Sequence, residues 1–157
     1  MSLEKFWEEY AIGDRMVTGG RTIVDADVRL FNGATDASHP AHVDVEYAAR
    51  HPFGRVTVPG SLIIGVVDGL VVKYLVPQEK KVVHYGYDRI RFVKPVFFGD
   101  TVHVGATVME KRARSDGMGL IVFNYEVKKQ DGTTVAILAD LQLVETGGSG
   151  SPPAGGA

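Results

Sequence analysis

The sequence predicts an α+β domain in which an antiparallel sheet curves around one long, buried helix. Three observations carry that prediction. Residues 61–75 are the most apolar stretch in the chain, with Leu62, Ile63, Ile64, Val66, Val67, Leu70, Val71 and Val72 against only Asp68 and Lys73 as charges. From Lys81 onward the hydrophobic period changes to two, as the alternating faces of strands require. Asp116-Gly117 and Asp131-Gly132 punctuate that region as tight turns of the kind that join antiparallel neighbours. A helix apolar nearly all round must be covered, and a sheet wrapped round it is the simplest cover.

The elements follow in order. Phe6, Trp7 and Tyr10 sit among acidic side chains in a short helical or extended lead-in, and Gly13-Asp14 turns the chain into a strand at 15–18. Gly19-Gly20 interrupts that strand and residues 21–24 resume it. Asp25 and Asp27 offer an N-cap and a negative first turn to a short helix whose apolar side is Val28, Leu30, Phe31 and Ala34, ending near 32–35. Asp36 falls just beyond its C-terminus. Asp44 caps another short helix through Ala49, closed by His51-Pro52-Phe53-Gly54. Pro59-Gly60-Ser61 introduces the long helix, about 22 Å from end to end at about 1.5 Å per residue. Gly65 and Gly69 share one of its faces, where a sheet or second helix is expected to approach closely. Strands follow at 82–93, 101–112, 120–129 and 134–145, with Ile121, Phe123, Tyr125 and Val127 inward on the third and Val135, Ile137, Leu141 and Leu143 inward on the fourth.

Composition narrows the function classes. A chain of 157 residues, 45% hydrophobic and 23% charged, is expected to form a single domain over 1–145, followed by a disordered Gly/Ser/Pro-rich tail at 146–157. A net charge of −2 lacks the basic surface of a general nucleic-acid binder. The absence of cysteine excludes a disulfide framework and a thiolate nucleophile and fits a cytoplasmic protein. Glu4, Glu8, Glu9 and Asp14 leave the first twenty residues without the apolar core of a secretory signal. The long helix falls short of the about 20 apolar residues that cross a bilayer, so no membrane partner is expected.

The chemistry-bearing side chains concentrate at 35–44, where Asp36, His39, His42 and Asp44 surround Pro40. Asp and His are the side chains best suited to general acid–base work, and Pro40 stiffens the connector and holds His39 extended. Polar loops also collect these residue types because turns favour them. His39, His42, Asp44 and His51 are ligand types, but their order matches no familiar zinc spacing, and no metal is expected.

Several motifs in sequence resemble the MaoC-like hydratase/dehydratase branch of the hot-dog fold. They are residues 19–28 (Gly-Gly-Arg-Thr-Ile and Asp-Ala-Asp-Val), 35–44, Tyr47-Ala48, Pro59-Gly60, and 91–102 (Arg-Phe-Val-Lys-Pro-Val-Phe-Phe-Gly-Asp-Thr-Val), within a resemblance spanning 10–144. The resemblance implies interconversion of trans-2-enoyl and (3R)-3-hydroxyacyl thioesters, on CoA or an acyl-carrier protein, without a cofactor. It makes Asp36 and His42 the catalytic pair that holds and activates water, with Asp36 six residues before His42 where the family spacing is five and Thr35 where the family has glycine. Asp44 matches a position expected to be structural. The resemblance places the Gly60 N–H on the thioester carbonyl, and Ser61, His39 and Arg91 on the substrate. Arg89, Arg91, Lys94, Lys111, Arg112 and Arg114 are the cations from which contacts to CoA phosphates would come. A homodimer is expected, because a sheet of this size leaves an open edge. Two rivals remain: a thioesterase on the same fold, and a subunit that binds acyl thioesters without turning them over.

Overall fold

The chain begins with a 3-10 turn at Trp7–Glu9 and two short strands, β1 (Arg15–Val17) and β2 (Arg21–Thr22). Helix α1 (Asp25–Thr35), a 3-10 turn at Pro40–His42, helix α2 (Val45–Arg50) and the long helix α3 (Gly60–Tyr74) follow. Four long strands complete it: β3 (Val82–Phe92), β4 (Thr101–Ala113), β5 (Met118–Lys129) and β6 (Thr134–Glu145). This computed structural model describes residues 5–76 and 80–147, so the expected tail from 148 onward lies outside the described residues. All strand pairs are antiparallel, in the order β1-β4-β5-β6-β3, with β2 also on β4.

One face of the sheet packs on α3. Its rows read Val104/Val127/Ala136, then Ala106/Tyr125/Leu138, then Val108/Phe123/Asp140 across β4, β5 and β6. These rows and Ile63, Val66, Val67, Leu70 and Val71 of α3 are buried, and all but Asp140 join one hydrophobic core. Each of the five helix side chains contributes on the order of 1.5–3 kcal/mol before conformational entropy is subtracted.

The inward residues expected on β5 are the buried ones, but β6 needs a correction. Ile137 is exposed and Leu143 half-buried, while Ala136, Leu138, Asp140, Gln142 and Val144 take the core face. Two polar side chains on that face hide the true alternation from a hydrophobicity reading. A second correction concerns α3. A Cβ added at Gly65 or Gly69 meets nothing within 4 Å among the described residues, so the glycine face looks outward. A third concerns α1, which buries Val28 and Asn32 and leaves Leu30 in solvent. Its cap also differs: Val24 is the N-cap, and Asp27 accepts the Val24 N–H at 2.9 Å from inside the first turn.

β3 presents mixed faces because it bulges. His84 faces Gln142 and Gly86 faces Leu141, which leaves Tyr85 unpaired and returns Tyr87, opposite Asp140, to the face of His84. A second shift between Tyr87 and Arg89 does the same at Asp88. No helix among the described residues is long and apolar enough to cross a membrane.

Candidate active site

Helix α1 ends on Asp36, whose backbone is left-handed (φ 57°, ψ 22°) and whose N–H closes on the Asn32 carbonyl at 2.8 Å. A short polar side chain tolerates this conformation better than a branched one. The chain turns sharply at Asp36: Ser38 N–H closes on the Asp36 carbonyl at 2.9 Å, and the 3-10 turn starts at Pro40. The Asp36 carboxylate is exposed and takes no hydrogen bond among the described residues.

His39 caps that turn, its Nδ1 accepting the Ala41 N–H at 3.2 Å, and its ring meets those of His42 and Tyr47 edge-on. His42 is held differently. Its Nδ1 lies 2.7 Å from the Thr57 carbonyl and 3.3 Å from the Thr57 hydroxyl. A carbonyl only accepts, so Nδ1 carries the proton and Nε2 is the basic nitrogen of the neutral ring. Thr57 is itself fixed, donating its N–H to Ala41 at 3.1 Å, while Val58 donates to Val96 at 2.8 Å. The histidine therefore rests on an extended segment tied on both sides.

The same segment leads into α3. Pro59 is the N-cap, its carbonyl accepting from Leu62 at 3.1 Å and Ile63 at 3.2 Å. The N–H groups of Gly60 and Ser61 enter no described hydrogen bond and sit at the positive end of a 15-residue helix. Gly60 is required by close approach: a Cβ there would fall 2.7 Å from the Phe92 ring.

Asp36, Ser38, His39, His42, Gly60 and Ser61 line one open cleft of about 630 Å³. An apolar pocket of about 260 Å³ adjoins it through Gly60, walled by Phe53, Val58, Ile63, Phe92 and Val135 with Lys94 at its rim. Five of the six expected site residues are thus brought together. Arg91 is not among them: it points from the opposite face of β3, opposite Ile137, and donates to its own Ile90 carbonyl.

Among the other cations, Lys111 lies over the Trp7 ring and donates to the Tyr10 carbonyl, Arg112 forks onto Glu110, and Arg114 onto Asp116. The Arg112 row meets β6 at Leu143, about 24 Å along the strand, at about 3.4 Å per residue, from the Ala136 row, where Phe92 of the apolar pocket pairs. Asp44 accepts the Tyr47 N–H as the N-cap of α2. No group of three or more metal-binding side chains converges among the described residues.

A family model described as MaoC like domain matches residues 9–130. The chain belongs to the MaoC-like family. It is 34% identical over 110 residues to Protein MaoC of Klebsiella aerogenes, covering 70% of this chain and 32% of that protein. To 3-hydroxyacyl-thioester dehydratase Z of Mycobacterium tuberculosis it is 33% identical over 89 residues, 56% of this chain and 59% of that protein. The chain therefore spans about a third of the first relative and about three fifths of the second. The crystal structure of the MaoC-like dehydratase from Rhodospirillum rubrum matches with a TM-score of 0.82 at 23% identity, over 90% of this chain and 97% of that one. That likeness carries the fold, the hot-dog architecture of MaoC-like hydratases and dehydratases.

Sequence reasoning missed Thr57, the walls of the apolar pocket, and Asn32. The hydrogen bond from His42 reaches 15 residues ahead, and the pocket joins Phe53 to Val135, so no local pattern marks either. Asn32 is buried one turn before Asp36 with neither amide atom partnered among the described residues; a polar residue at an inward helical position was the available signal.

Proposed function

We propose that this MaoC-like domain hydrates trans-2-enoyl thioesters to (3R)-3-hydroxyacyl thioesters, or runs the reverse dehydration. The observation that carries the reading is the junction at Gly60, where the cleft holding Asp36 and His42 opens onto an apolar pocket. The acyl chain enters that pocket and the thioester lies across the N-terminus of α3. The free N–H groups of Gly60 and Ser61 donate to the carbonyl oxygen as it gains enolate character, where the helix dipole favours negative charge.

Water sits between Asp36 and His42. With Nδ1 committed to Thr57, Nε2 of His42 takes the proton as the oxygen attacks C3, and the pair returns a proton to C2. His39, edge-on to His42 and exposed on the cleft, and Ser61 bear on the head of the substrate. Arg91, from the other face of β3, contributes to phosphate binding only through the far end of a long carrier.

The assembly proposed is a homodimer. Among the described residues β3 is a sheet edge paired with β6, and it exposes Val83 and Tyr85. The open glycine face of α3 also awaits cover. Unpaired apolar edges of this kind are normally paired or shielded. Sedimentation giving a stable monomer at micromolar concentration contradicts it.

The deciding experiment follows the conjugated absorbance of a panel of trans-2-enoyl-CoA substrates. Its loss without thiol release, giving the (3R) alcohol, is the expected result. Thiol release assigns a thioesterase instead, and saturable binding without either change assigns a non-catalytic subunit.

A further inference from the structure

A cavity running the length of α3 would take a long fatty chain, since the 15-residue helix extends about 22 Å at about 1.5 Å per residue. The structure has two separate voids instead. The apolar pocket beside Gly60 and a second cavity of about 250 Å³, walled by Val71, Val72 and Val76 at the other end of the helix, share no lining residue. Between them Val66, Val67 and Leu70 of α3 are buried in one core with Ala106, Tyr125 and Leu138 of the sheet. Close-packed side chains of this kind leave an acyl chain no path from one void to the other.

The walls of the pocket beside Gly60 are also pinned. Val93 and Lys94 both donate to the Val135 carbonyl, at 2.9 and 3.3 Å, and Val58 donates to Val96 at 2.8 Å. These bonds tie the lead-in to α3, the end of β3 and the start of β6 into one frame. Val58, Ile63, Val96 and Val135 of the lining are buried members of the core, so the inner end is closed. Enlarging such an end by even one methylene disturbs packing on every side. The open side lies between Phe53 and Lys94, both exposed, and a chain leaving there enters water.

The size of the pocket then limits its guest. A volume of about 260 Å³ is room for about eight groups of about 30 Å³, the share of a water molecule in the liquid, and a methylene is of that size. With the carbonyl carbon, C2 and C3 held in the cleft, the pocket takes the chain from C4 onward. We propose that this is a blind acyl pocket, closed at its inner end by Ile63 and Val135, and that the substrates are enoyl thioesters of at most about ten acyl carbons. The double bond and the thioester rest on the hydratase reading; the limit on length stands on the pocket alone.

Calorimetric titration of the full chain with S-butyl-, S-octyl- and S-tetradecyl-CoA tests it, because these thioethers can be neither hydrated nor hydrolysed. Each methylene buried in the pocket is worth up to about fourfold in affinity. The expected result is S-octyl-CoA binding at least tenfold tighter than S-butyl-CoA, and S-tetradecyl-CoA binding no tighter than S-octyl-CoA. Val93→Trp, which fills the pocket from a half-exposed wall position, should cut the gain from butyl to octyl at least tenfold. Tighter binding of the tetradecyl probe than of the octyl one, no gain from butyl to octyl, or an undiminished gain in Val93→Trp overturns the proposal. The expected series in a chain that leaves every enoyl-CoA unhydrated removes the hydratase reading and keeps the pocket.

Discussion

The two ends of α3 solve opposite problems. At its N-terminus the helix offers unsatisfied N–H donors to an open cleft, and the pocket behind is apolar. Beside its C-terminal half Asp68 faces a cavity crowded with acceptors and walled by valine. The first end keeps its titratable groups, Asp36 and His42, near water, where charge can form and disperse during a reaction. The second buries Asp140 almost completely, where a fixed charge is expensive. A reacting site needs groups that change protonation at modest cost, whereas a buried carboxylate imposes a standing demand for a partner.

The largest expected effect lies at the first end. His42→Ala and Asp36→Asn should each lower hydration by about 10²–10⁴-fold, the usual worth of general acid–base catalysis. The double variant should be little worse than either single one, because the two act on one water. Steady-state rates on an enoyl-CoA substrate check this, and a loss below tenfold in Asp36→Asn removes it from the mechanism.

Next comes the junction. Gly60→Ala drives a methyl group into the Phe92 ring, and overpacking of that kind costs about 1–3 kcal/mol. Denaturant midpoints should fall, and Phe92→Leu added to Gly60→Ala should restore much of the loss. No rescue by Phe92→Leu means that strain at the helix start, not the ring, is responsible.

The second end should respond with the opposite sign. The folded-state pKa of Asp140 is raised by burial, so between the ordinary carboxylate value of about 4 and that raised value the folded chain binds more protons than the unfolded one. Stability contributed there is present at low pH and is lost as pH climbs through that window. Asp140→Asn should therefore raise the melting temperature at neutral pH, and the two melting curves should converge below about pH 4. A lower melting temperature at neutral pH shows that the ion pair with His84 outweighs desolvation.

The smallest effect belongs to the outward face between the two ends. Gly65→Ala and Gly69→Ala should each stabilise a dilute, monomeric chain by about 0.5–1 kcal/mol, since alanine restricts the unfolded chain and meets no neighbour in the folded one. Destabilisation that grows with protein concentration places a second copy against that face.

Legibility in the sequence tracked locality. The strand order of faces on β4 and β5 was readable because Val102 to Val108 and Ile121 to Val127 alternate without interruption. β6 misled because Asp140 and Gln142 occupy core positions, and the hydrophobic residues Ile137 and Leu143 fall on the other face. The same substitution of polar for apolar side chains that spoiled the pattern is what builds the second cavity. At the first end, Asp36, His39, His42, Gly60 and Ser61 were found by residue type and by resemblance, and they line one cleft. The reach of Arg91 was not readable, since which face of a bulged strand a residue takes depends on where the bulge falls.

By itself the sequence determined the apolar helix, the two-residue period of the strands, the turns between them and the short polar stretch around Pro40. All of these are set by neighbours within a few positions, through backbone preference and the spacing of apolar side chains. Only the tertiary structure decided that Thr57 assigns the tautomer of His42, that Phe92 closes on Gly60, that the glycines of α3 face outward, and that Asp140 is buried. Each of those joins residues distant along the chain, and their distances and solvent exposure are fixed only when the helix is laid across the sheet.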